Sequence, residues 1–126
     1  MRILVCLALL LFAANCTRST RRAMTVNVSL QNASSNALDW VQFVWAGPPL
    51  SGGVMPPGVS KTAVGSEWPS VPSAKITFVD QKSRAPYSLD VDLSGVNKQV
   101  AYGKCGHVTV RILGYDKADA ICGAPW

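Results

Sequence analysis

From residue 25 onward, apolar and polar positions along the chain alternate with a period of two. Val26, Val28 and Leu30 alternate with Asn27 and Ser29, so each set lies on one face of an extended strand. No segment has the spacing of a convincing amphipathic helix. This pattern favours an all-β fold, a two-sheet antiparallel β-sandwich of the immunoglobulin-like or a related type. Strands are predicted at residues 25–30, 37–45, 59–64, 74–80, 87–93, 100–102, 107–113 and 118–122.

The predicted strand at residues 37–45 carries apolar side chains on both of its faces. Val41 and Phe43 lie on one face, while Leu38 and Trp40 lie on the other. Strands that are apolar on both faces are typical of the covered interior of a fold. We therefore expect a central strand that is covered on both sides.

Residues 47–58 contain four prolines and four glycines, which predict a long loop that cannot continue a ladder. Long loops in compact domains are often functional, and proline stiffness lowers the entropy lost on binding. Leu50, Val54 and Met55 are therefore candidate partner-binding anchors, and the alternative is that they cap the end of the core. Trp68, in the loop at residues 67–73, is a further candidate. Alternating strand directions would put these two loops at opposite ends of the sandwich.

The N-terminus has the order of a secretory signal, with Arg2 followed by an apolar run at residues 3–14 that is too short to span a membrane. Residues 11–16, Leu-Phe-Ala-Ala-Asn-Cys, resemble the lipobox of bacterial lipoproteins. The resemblance implies cleavage of residues 1–15 and lipidation of Cys16, although Asn15 departs from the small residue usual at that place. By the same resemblance, Thr17 implies the periplasmic face of the outer membrane. The alternative is cleavage after Cys16, which gives a soluble periplasmic or secreted protein.

The cysteines are consistent with an oxidising compartment. Cys6 lies in the predicted signal, and lipidation of Cys16 would remove the odd thiol from the remaining three. Cys105 and Cys122 would then form a disulfide that closes a loop of about 17 residues and stabilises by roughly 3 kcal/mol. The alternative for this pair is two buried free thiols.

The formal net charge of +5 is concentrated near the N-terminus. Of the 12 basic residues, Arg2 lies in the signal, and Arg18, Arg21 and Arg22 lie in a tether at residues 16–24. The domain at residues 25–126 keeps 8 basic against 7 acidic residues, or +1. This distribution gives no reason to expect a nucleic-acid partner. The tether arginines would attract an anionic membrane surface or form a solvated linker.

Candidate catalytic chemistry is sparse. His107 is the only histidine, and no nucleophile motif accompanies it. Asp90 and Asp92 share one strand face, which is typical of a solvated surface and does not make a glycosidase cleft. We therefore expect no catalytic residue, no metal, no cofactor and no small-molecule substrate. Convergence of His107 with two carboxylates, from Asp80, Asp90, Asp92 and Asp116, would favour an enzyme instead.

Residues 51–62, with Trp68-Pro69 and residues 75–80, resemble small proteobacterial lipoproteins, some of which are type VI secretion-associated immunity proteins. The resemblance implies a non-enzymatic module that binds a protein partner, an inhibitor of a toxin that acts in the periplasm. The alternative is a structural or adaptor lipoprotein of an envelope or secretion assembly.

Overall fold

The computed structural model describes residues 24–125, so the predicted signal peptide, the lipidation of Cys16 and most of the tether lie outside the described residues. No helix within residues 24–125 has the length and apolar character needed to cross a membrane. The described elements are β1 (Thr25–Asn32), β2 (Leu38–Val44), β3 (Leu50–Met55), β4 (Ser60–Glu67), β5 (Ser73–Asp80), β6 (Pro86–Asp92), α1 (Ser94–Ala101), β7 (His107–Ile112) and β8 (Ala118–Cys122).

The strands form two four-stranded sheets, which confirms the predicted β-sandwich. Sheet A has the order β4-β1-β7-β8 and sheet B the order β3-β2-β5-β6. Every neighbouring pair is antiparallel except β1 and β7, which run parallel with Val28 opposite Val108. The parallel pair arises because α1 carries the chain across one end of the sandwich after β6. Strand β7 therefore starts at the same end as β1.

The core lies between the two sheets and consists of the alternate apolar residues of each strand. The period-two prediction is confirmed most clearly in β5, where Ile76 and Phe78 are buried and alternate with more exposed residues, and in β6, where Leu89 and Val91 are buried. Strand β1 is buried on both faces, since Ser29 between Val28 and Leu30 has no exposed surface either. Among the described residues, no buried side-chain nitrogen or oxygen lacks a hydrogen-bond partner. The centre of the interior is therefore apolar, and the buried polar side chains at its edges all have hydrogen-bond partners.

Strand β2 departs from the predicted alternation. Leu38 and Val41 are both buried although they lie three residues apart, because the register with β3 and with β5 shifts between them. This β-bulge leaves Trp40 at φ 51° with its side chain 68% exposed. Val44 is 43% exposed as well. Strand β2 is central in sheet B, but the expectation that both of its faces are covered is wrong.

The proline- and glycine-rich segment is not the predicted long loop. Residues 50–55 form the edge strand β3, and the proline pairs at residues 48–49 and 56–57 lie outside it. A Cβ on Gly52 would collide with the side chain of Met55, so any other residue there would force the buried Met55 to move. Gly53 adopts φ +60° where the register with β2 shifts. The glycines therefore shape the strand and do not interrupt it.

The helix α1 was not expected, and the strand predicted at residues 100–102 is wrong. Val96 and Val100 lie four residues apart and both are buried, which is the spacing of a helix. The side chain of Asp92 accepts hydrogen bonds from the backbone N–H of Ser94 (2.9 Å) and from its hydroxyl (2.7 Å) at the start of the helix. The helix covers one end of the sandwich, which we call the helix end.

The predicted disulfide between Cys105 and Cys122 is confirmed, with their Cα atoms 5.7 Å apart. It joins the segment that follows α1 to the last residue of β8. The bridge therefore fastens the helix end of the molecule to the edge of sheet A.

Candidate functional site

An apolar groove of about 510 Å³ opens at the helix end of the sandwich. It is lined by residues 45–50, by Ala63 of β4 and by residues 66–69, and Glu67 is the charged residue in this lining. We call it the end groove. Pockets for ligands and partners are concave and mostly apolar, which makes this groove the first candidate site of the described part of the chain.

The end groove unites two segments that the sequence pattern placed at opposite ends. The prediction is wrong because β3 adds one reversal of the chain between Pro49 and Trp68. The loop before β3 and the loop after β4 therefore lie at the same end. Trp68 is fixed there because its backbone N–H donates to the carbonyl of Met24 (2.8 Å).

Two tryptophans form the floor of the end groove. Trp45 packs against Phe43 with ring centroids 5.1 Å apart and meets Trp68 edge-on at 5.5 Å. The indole N–H of Trp45 donates to the carbonyl of Pro48 (2.6 Å), and that of Trp68 donates to Oδ1 of Asn97 in α1 (2.6 Å). Both donors are engaged, and Trp68 is only 3% exposed, so the ring surface that the groove offers a partner is that of the half-buried Trp45.

The candidate anchors from the sequence fall in different environments. Leu50 is half-buried and lines the end groove. Trp68 also lines it but is only 3% exposed, and Met55 has no exposed surface, so neither is an exposed anchor. Both fill the core between the sheets, where large apolar side chains are stabilising. Val54 is 50% exposed on the outer face of sheet B, away from the groove.

The sequence reasoning missed Trp45 as part of the site. The period of two predicts Trp45 inside the second strand, whereas β2 ends at Val44 and Trp45 begins the turn toward the prolines. A signal was present in the sequence, because two tryptophans each stand within three residues of a proline at residues 45–49 and 68–69.

His107 takes part in a hydrogen-bond chain across three strands of sheet A. Its Nε2 lies 2.6 Å from the hydroxyl of Ser29, which lies 2.7 Å from the hydroxyl of Thr62. A nucleophile must reach its substrate, and Ser29 is fully buried. The arrangement therefore links β4, β1 and β7 and is typical of a structural contact.

The carboxylates named with His107 lie elsewhere. Asp90 pairs with Lys75 at 3.5 Å on the outer face of sheet B, and Asp92 binds Ser94. Within residues 24–125, no three His, Cys, Asp or Glu side chains come close enough together to hold a metal ion.

A polar cluster lies at the end of the sandwich opposite to the helix end. Asp80 accepts hydrogen bonds from the hydroxyl of Tyr115 and from the backbone N–H of Ser83, both at 2.7 Å, which lower the pKa of its carboxyl. The same bond to Asp80 raises the pKa of Tyr115 to about 12. Tyr115 stacks on Tyr87 at 4.6 Å, and Tyr87 stacks on Phe78 at 5.4 Å. The cluster closes this end by stacking and hydrogen bonding.

Comparisons with known proteins give no family for the chain. No protein-family model matches it, and no curated protein sequence matches it. Among solved structures, the chain is similar to the NMR structure of a protein from Eubacterium rectale, with 14% identity and a TM-score of 0.49. That similarity covers 79% of this chain and 88% of the other.

Proposed function

We propose that this protein is an exported, lipid-anchored binding module without a reaction of its own, and that it binds a protein partner through the end groove. The observation that carries the proposal is the joining of two loops into one apolar groove with Trp45, Leu50 and Trp68 in its lining. Interface hot spots favour buried aromatic and apolar surfaces of this kind.

The loop at residues 45–49 supports this role because little of it needs to become ordered on binding. Pro48 and Pro49 restrict the backbone, and the bond from the Trp45 indole to the carbonyl of Pro48 closes the turn. Pro48 and Pro49 are both exposed. A rigid, exposed apolar rim lowers the entropy that association costs.

The position of the groove fits a partner that works close to a membrane. Met24, whose carbonyl accepts a hydrogen bond from the backbone of Trp68, stands eight residues after Cys16. A fully extended chain of eight residues is at most ~29 Å long. A lipid on Cys16 would therefore hold the helix end near the outer membrane. We propose a periplasmic enzyme that attacks the envelope as the partner, which makes the protein an inhibitor of the immunity type.

The test is direct binding to the product of the neighbouring gene, measured by calorimetry with the purified mature protein. We expect micromolar or tighter affinity that Leu50→Asp reduces by at least about thirtyfold, since a charge would enter the apolar groove. Val64→Asp is the matched control, because Val64 is 80% exposed on β4 and outside the groove lining. Absence of binding at micromolar concentration, or equal losses in both variants, would contradict the proposal.

A further inference from the structure

A second surface, the outer face of sheet B, carries a residue held in a strained conformation. Trp40 has φ 51°, a left-handed conformation that bulky residues rarely adopt, and its side chain is 68% exposed. Strain of this kind persists where the surrounding structure enforces it and is concentrated at functional sites. Here the bulge turns Leu38 and Val41 inward and leaves the indole of Trp40 on the outer face of the sheet.

Trp40 belongs to an apolar row that crosses all four strands of sheet B. Val54 of β3 lies opposite the bulge, since its neighbours pair with Leu38 and Val41. On the side of β2 that faces β5, Asp39 next to the bulge pairs with Val79 of β5. Val79 in turn pairs with Pro86 of β6. The apolar row is Val54, Trp40, Val79 and Pro86.

A row of uncharged polar side chains runs beside the apolar row. Gln42 pairs directly with Ser51 on one side and with Thr77 on the other, and Thr77 pairs with Ser88. We call this the polar row. Trp40, Gln42, Thr77 and Ser88 line one shallow groove of about 590 Å³. The groove therefore has an apolar side and a side that offers an amide and hydroxyl groups.

The charged groups in and beside the two rows are paired with one another, including Asp39, which stands within the apolar row opposite Val79. Arg84 Nη1 lies 3.3 Å from the carboxylate of Asp39, and Lys75 Nζ lies 3.5 Å from that of Asp90. These pairs leave the rows electrically neutral. Charge complementarity therefore favours an uncharged ligand over an anionic or cationic one.

The size of this face argues against a protein as its occupant. Strands lie ~4.8 Å apart, so four strands make a face about 14 Å wide, and neighbouring rows on one face lie about 7 Å apart along the strands. The strands of sheet B are six to eight residues long, so the face extends about 20 to 26 Å along them and has an area on the order of 300 Å². A stable protein interface needs roughly 800 Å² on each partner. A short linear ligand that lies across the strands fits these dimensions.

We propose that the outer face of sheet B binds a flat, uncharged oligosaccharide. The apolar faces of its sugar rings would stack on the apolar row, with Trp40 as the main contact, and its hydroxyl groups would hydrogen-bond to the polar row. This site lies on a different surface from the end groove, so the proposal goes beyond the proposed function and does not depend on it.

The test uses the full-length protein, purified in a detergent that contains no sugar, and titrated with cellohexaose and chitohexaose. These flat, uncharged β-linked chains should bind in the millimolar range or tighter and change the tryptophan fluorescence. Maltohexaose, which coils, is the matched control and should bind at least about tenfold more weakly.

Two variants locate the site. Trp40→Asn should weaken binding by at least about tenfold and keep the melting temperature within about 5 °C, because asparagine tolerates the left-handed conformation. Gln42→Ala should weaken binding about fivefold. The proposal is overturned if neither flat saccharide binds at millimolar concentration, or if binding survives both substitutions. It is also overturned if Trp40→Asn abolishes binding of a protein partner and no saccharide binds.

Discussion

Removal of the disulfide between Cys105 and Cys122 tests how the bridge stabilises the fold. The double variant Cys105→Ala and Cys122→Ala breaks the bond that joins the segment after α1 to the end of β8. Nothing else at Cys122 should change much, because that residue is exposed. Cys105 is buried, and alanine there loses a sulfur atom from the core.

The magnitude follows from the length of the closed loop. A separation of 17 residues gives a loss of unfolded-state entropy worth about 3 kcal/mol at room temperature. A domain of about 100 residues loses roughly 4 to 8 °C of melting temperature for each kcal/mol. We therefore expect the double variant to melt about 12 to 24 °C below the parent protein.

Equilibrium unfolding in urea measures the change in the free energy of unfolding directly. The parent protein in reducing agent serves as the control, since it loses the bridge and keeps the sulfur atom of Cys105. The double variant and the reduced parent protein should lose a similar amount of unfolding free energy relative to the oxidised parent. A loss below about 1 kcal/mol in both would refute the reasoning, because the bridge would then not constrain the unfolded chain as its length requires.

Two further predictions concern the packing of β3 and the polar cluster. Gly52→Ala would push a Cβ into the side chain of Met55 and should cost about 1 to 3 kcal/mol in urea unfolding, whereas Gly53→Asn, with open space around it, should cost less than about 1 kcal/mol. Tyr115 should ionise near pH 12 by ultraviolet absorbance and return toward 10.0 in Asp80→Asn, because the negatively charged acceptor of its hydrogen bond is replaced by a neutral amide that no longer opposes the phenolate charge. The lowered pKa of Asp80 predicts a contribution to stability that is complete above the ordinary carboxyl pKa of 3.8 and is lost as the pH falls through the lower pKa of the folded state. Chemical denaturation at a series of acid pH values checks this. In Asp80→Asn, the free energy of unfolding should change less with pH.

The fold class could be predicted from the sequence because most strands bury one face against the opposite sheet. Burial of one face forces a period of two, and residues 87–93 show this period in the sequence and the corresponding burial in β6. The disulfide could be predicted as well, since Cys105 and Cys122 are close in sequence and the N-terminal pattern predicts export to an oxidising compartment.

The errors have physical causes that a local pattern does not contain. The value of glycine at residue 52 comes from the close approach of the Met55 side chain, which depends on how β3 packs. The φ of 51° at Trp40 changes the phase of the alternation within a single strand. Helix α1 has two buried side chains and a glycine at residue 95, so its pattern is too short to be separated from loop or strand.

The candidate site depended on topology more than on composition. Leu50 and Trp68 were identified as apolar loop residues, and the end groove brings both into one lining. They lie at the same end because two strands, β3 and β4, separate them in sequence. The sequence pattern predicts only one strand between them. Trp40 could not be found as an exposed residue, because the alternation of β2 assigned it to a covered face.

Binding through the end groove is the central claim, and the indole signals of the tryptophans test it most directly. The protein labelled with ¹⁵N would be titrated with the product of the neighbouring gene, and the indole resonances would be followed by NMR. We predict that the signals of Trp45 and Trp68 shift or broaden, whereas that of Trp40, on the other surface, stays unchanged. A response confined to Trp40, with Trp45 and Trp68 unaffected at saturation, would contradict the account.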